Sequence, residues 1–105
     1  MFKGQHTSGT VEGTGAALNV QLGFKPTRVT IFNEDGLCQL DWFNSMADNH
    51  GLKRITSGTL SKITSNGIAT YDGTAAGDSA GFTIGADADV NVNGETLHYE
   101  AWAEE

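Results

Sequence analysis

The chain holds 105 residues, 38% of them hydrophobic and 9% aromatic, and carries a formal net charge of −7. That length supports one hydrophobic core rather than two, and the composition is too apolar for wholesale disorder. No apolar run approaches the roughly 18 to 20 residues of a membrane span, and the start Met-Phe-Lys-Gly-Gln-His lacks the apolar stretch of a secretory signal. The expectation is one soluble domain over 1–105, made in the cytoplasm, with no membrane contact.

The charge is unevenly placed. All six Lys and Arg residues fall in 1–62 beside five acids, whereas 63–105 holds eight acids and no base. A nucleic-acid binder releases phosphate counterions with a basic stripe, and the second half of this chain is its opposite. Direct DNA or RNA binding is therefore not expected. Cys38 is the only cysteine, which excludes an internal disulfide and a thiolate metal cluster.

Glycine supplies 14 residues and proline one, a balance that points to many tight turns and away from collagen-like or Pro-rich chains. Residues 1–10 contain few turn signals of their own and read as an extended N-terminal arm. In 17–24 the residues alternate, with Leu18, Val20, Leu22 and Phe24 on one face, as a half-buried strand requires. Lys25-Pro26 then interrupts pairing, because proline lacks an N–H. Along 27–33, Val29 and Ile31 point inward and Arg28, Thr30 and Phe32 outward. The polar turn Asn33-Glu34-Asp35-Gly36 predicts a hairpin to 37–43, where Cys38, Leu40 and Trp42 share a face.

Residues 44–51 read as a polar loop or at most one helical turn, being too short for a stable helix. Short strands are predicted at 52–56, 59–64 and 67–71, punctuated by Ser57-Gly58, Asn66-Gly67 and Asp72-Gly73. A small, polar loop occupies 74–80, and short strands follow at 80–84 and 88–92. The last strand, 95–103, is led in by Asn93-Gly94 as a type I′ turn. It sets Leu97, Tyr99, Ala101 and Ala103 inward and Thr96, His98, Glu100 and Trp102 outward. The fold class is all-β: a single antiparallel β-sandwich of about seven to nine short strands with little or no helix.

One stretch matches a chemical motif. Asp89-Val90-Asn91-Val92-Asn93-Gly94 followed by Glu100 has the ligand spacing of an EF-hand calcium loop. That loop needs flanking helices, and the pattern here reads instead as two strand arms with polar residues outward. His6, His50 and His98 are too far apart for a local metal pairing. Ser45, Asp48 and His50 lack a nucleophile elbow, and an enzyme would need a pocket joining His50 to Asp48 or Asp41. The glycines of 13–15 and 81–85 have no phosphate-loop register. No cofactor, metal or catalytic residue is expected.

The remaining feature is surface. Phe32 and Trp102 lie opposite the core stripe, and with Phe2, Trp42 and His98 they are the candidate interface residues, aromatics being enriched where proteins meet. Burial of these rings within the domain and stacking on a sugar ring are the alternatives.

The segments GTGAALNVQLGFKP (13–26), TSNGIATYDG (64–73) and GFTIG (81–85), the last followed by the DADVNVNGETLHYEAW stretch (87–102), resemble small virion proteins of tailed bacteriophages. The resemblance implies a β-sandwich, commonly trimeric, on a capsid or tail, and it carries over no catalytic residue. The leading expectation is thus a non-enzymatic capsid decoration or cement protein. It would be a homotrimer on the capsid exterior of the virion, its partner the major capsid protein, its 1–10 arm laid along the coat. The competing expectation is a carbohydrate- or receptor-binding module of a tail or head fibre.

Overall fold

The computed structural model describes residues 4–73 and 79–104, in which eight strands follow one another without a helix. They are β1 (Gly4–Glu12), β2 (Leu18–Gln21), β3 (Arg28–Asn33), β4 (Cys38–Phe43), β5 (His50–Arg54), β6 (Leu60–Tyr71), β7 (Gly81–Ile84) and β8 (Thr96–Glu104). All pairings are antiparallel, and the spatial order is β1-β8-β3-β4-β5-β6-β7-β2. The all-β expectation holds, with one qualification: a single sheet curls over on itself, so the two packed layers are halves of one ladder.

The curl is set at the middle of β6. Two strands were expected at 59–64 and 67–71, separated by a turn at Asn66-Gly67. The chain instead bends there and stays in the sheet. Residues 60–63 pair with β5 and residues 68–71 with β7, while Asn66 takes a positive φ of 60°, a conformation asparagine tolerates better than most residues. Gly67 bonds across the corner, its N–H to Asn49 O and its carbonyl to the Gly85 N–H, each at 2.8 Å. A Cβ at Gly67 would lie 2.2 Å from His50 O, so only glycine permits this close approach.

Inside the curl sit Val20, Val29, Ile31, Leu40, Ile68, Phe82, Ile84, Val90 and Leu97, all buried. Alternation put Val29, Ile31, Cys38, Leu40, Leu97 and Ala101 inward, and the structure agrees, because one face of each strand meets the opposing half-sheet. Trp42 belongs with them. It is 2% exposed, and its Nε1 donates to Ala47 O at 3.3 Å. It is therefore a core residue and not a surface ring, since even spacing from Cys38 and Leu40 keeps it on the inner face.

Three other expectations change. The expected arm over 1–10 is, from Gly4 on, the edge strand β1, paired to β8 along its whole length; residues 1–3, including Phe2, lie outside the described residues. Residues 88–92 form no strand: Asp87 Oδ1 accepts the N–H groups of Asp89 and Val90, and the Asn91 N–H donates to Asp87 O, winding one tight turn. Asn93-Gly94 is a turn closed by the Glu95 N–H on Val92 O, but only Gly94 has positive φ, which is not the type I′ geometry. The loop expected over 74–80 falls outside the described residues at 74–78.

Candidate functional site on the outer sheet face

Strands β1, β8, β3 and β4 are neighbours, and their registers line up the side chains that alternation directs away from the core. His6 opposes Trp102, Trp102 opposes Arg28, and Arg28 opposes Phe43. The four form a continuous row across the sheet. The His6 and Trp102 ring centroids are 5.1 Å apart, and the Arg28 guanidinium lies 4.8 Å from the Trp102 ring centre and 5.4 Å from that of Phe43. A cation held between two ring faces is attracted by both quadrupoles, worth about 0.5–1 kcal/mol each on an exposed surface.

The next row is polar: Ser8, Glu100, Thr30 and Asp41. Thr30 Oγ1 donates to Asp41 Oδ1 at 2.9 Å. The third row is Thr10, His98, Phe32 and Gln39, in which His98 Nε2 pairs with Glu34 Oε1 and Phe32 is 39% exposed. Between these two rows lies an open groove of about 410 Å³, walled by Phe32, His98, Glu100 and Thr30 with Ser8 and Thr10 on the β1 side. Of the interface candidates, the structure brings Phe32, His98 and Trp102 onto this one face.

The EF-hand letters are spent on the fold. Asn91 is buried, and its Oδ1 accepts the N–H groups of Thr14 at 2.8 Å and Gly15 at 3.3 Å, while Nδ2 donates to Ala16 O and Gly85 O. Asp89 Oδ2 lies 2.7 Å from Lys53 Nζ, which also donates to both oxygens of Asp87 at 3.0 Å. Burial alone would lower the Lys53 pKa, but its bonds to Asp89 and Asp87 outweigh that and hold it above its ordinary 10.5. Among the described residues no three His, Cys, Asp or Glu side chains converge as a metal site would need.

Asp48 lines a separate groove with Asn49, Ser65 and Asn66, and His50 opens β5 opposite Ile68. Cys38 is buried, and desolvation, with the nearby Asp87 and Asp89 charges added and Lys53 opposing, pushes its thiol up to about 11. It packs as a small apolar group of the core cluster. Sequence reasoning missed His6, Arg28 and Phe43 as members of the outer row. Alternation had set Arg28 outward, but His6 lay in a segment read as an arm and Phe43 at the end of its strand, and the row exists only through the order of four strands.

Fold and site thus define an all-β protein whose sheet presents one aromatic and cationic row above an acidic, hydroxyl-lined groove. No family model, no curated protein and no solved structure matches the chain.

Proposed function

We propose that the protein is a non-enzymatic structural component of a bacteriophage particle, a decoration or cement protein that lies on the capsid exterior and binds the major capsid protein through the outer face of β1, β8, β3 and β4. The observation that carries this reading is the row His6, Trp102, Arg28, Phe43, with Phe32 two rows away. Large, stiff rings around an arginine are the groups that dominate protein interfaces. The sequence resemblance supports the same class, and a lattice of coat subunits supplies the multivalency through which modest single contacts become stable attachment.

The test is to add purified protein to undecorated capsids and measure occupancy against concentration. Saturation at a fixed ratio to coat subunits, reduced by Trp102→Ala, is expected; no binding at any concentration overturns the reading.

One observation favours a second reading. The groove beside Phe32 joins a ring to hydroxyls and carboxylates, the chemistry by which a glycan stacks and hydrogen-bonds. Saturable binding on a glycan array, lost on Phe32→Ala and kept in Trp102→Ala, would select this fibre-type module over the capsid role.

A further inference from the structure

Among the described residues β1 is an edge strand, hydrogen-bonded to β8 alone. Its nine residues, GQHTSGTVE, contain no proline and no lysine, and its register has no bulge. Those are the devices that ordinarily stop a sheet edge from pairing with another chain. The parity of the ladder fixes which backbone groups remain outward. The Gly13 N–H donates to Glu95 O in the same register, so the odd residues of β1 bond β8, and His6, Ser8, Thr10 and Glu12 direct N–H and C=O away from the sheet. The side chains of these four residues are also exposed.

We propose that β1 pairs antiparallel with β1 of a second copy about a twofold axis at Gly9, so that one sheet runs through a homodimer. In this register His6 faces Glu12 of the second copy and Ser8 faces Thr10, each pair occurring twice. Imidazole against carboxylate and hydroxyl against hydroxyl are favourable cross-strand pairs, and glycine against glycine leaves the axis clear. The two neighbouring permitted registers, with Ser8 or Thr10 on the axis, set His6 against Thr10 or beyond the end of β1, and both lose the imidazole–carboxylate pair. A ring in which β1 adds to the β2 edge of the next copy, a route to the trimer expected from sequence, would match nine residues to four and leave half of β1 bare. The proposal stands on the sheet edge and does not depend on the capsid reading.

Sedimentation equilibrium of the full chain is expected to give twice its 11.1 kDa mass. A monomer at every concentration, or a trimer, overturns the proposal. Thr10→Pro removes an N–H that makes no bond within the sheet, so the β-sheet circular dichroism is expected to stay while dimerisation weakens at least about ten-fold. His6→Glu sets carboxylate against carboxylate and is expected to weaken the dimer as well, and adding Glu12→Lys to it is expected to restore the dimer. Dimers that survive both single variants, or a double variant that stays monomeric, overturn the pairing.

Discussion

Phe82 of β7 and Tyr99 of β8 meet edge to face, with ring centroids 5.6 Å apart, although β3, β4, β5 and β6 lie between their strands in the sheet. This contact is where the curled sheet closes on itself. Aromatic pairs in this geometry contribute about 0.5–1.5 kcal/mol beyond the area they bury. Phe82→Ala is expected to cost about 3–5 kcal/mol by leaving a cavity between the half-sheets, whereas Tyr99→Phe keeps the ring and should cost under about 1.5 kcal/mol. Urea unfolding followed by tryptophan fluorescence separates the two outcomes.

Asn91 brackets the chain as it passes from one sheet edge to the other. Its side chain bonds three consecutive residues of the β1–β2 connection and the end of β7. Asn91→Ala leaves buried N–H and C=O groups without partners, and a loss of about 2–4 kcal/mol is expected. Amide exchange at Thr14 and Gly15 should quicken by more than global destabilisation explains; unchanged protection there would contradict the bracket.

Lys53 is nearly buried between Asp87 and Asp89, with side chains 14% exposed for Lys53 and 10% for Asp87. Lys53→Met is expected to destabilise by about 3 kcal/mol, since it strands a buried carboxylate beside the turn that carries Val90. Replacing Asp89, whose carboxylate is more than half exposed, should cost much less. Thermal unfolding of the two variants checks the ranking.

Alkaline pH should act through the same neighbourhood. The folded thiol of Cys38 titrates near 11 against an ordinary 9.0, so between these values the unfolded chain has released a proton that the folded chain retains. Stability therefore falls with rising pH across that window. The Lys53 contribution is whole below 10.5 and is lost above it, because its folded pKa is raised. The unfolding midpoint is expected to drop from about pH 9 upward, and Cys38→Ala should delay the onset toward 10.5. Thiol reagents should label native Cys38 only after unfolding.

On the outer face, Arg28→Ala removes the cation shared by Trp102 and Phe43. The fold should lose about 1 kcal/mol or less, the range of exposed pairs, while occupancy on capsids should fall with that of Trp102→Ala. A full loss of binding with no loss of stability would mark the row as a contact surface; an unchanged isotherm would remove it from the interface.

Local patterning determined much of this protein. Alternation placed Val29, Ile31, Cys38, Leu40, Leu97 and Ala101 inside and Phe32, His98 and Trp102 outside, because strand side chains switch faces at every residue whatever the strand pairs with. The turn at Asn33 was equally legible, its Oδ1 accepting the Asp35 and Gly36 N–H groups within four residues of chain. What the sequence could not determine was which strands become neighbours. The row from His6 to Phe43, the corner at Gly67, the second partner sets of Asn91 and Lys53, and the placing of β1 at an edge all join residues distant along the chain. The row and the edge position of β1 depend on the order of the strands and the other contacts on how the chain folds over the sheet, and both choices are made by long-range burial and shape, which no local pattern encodes.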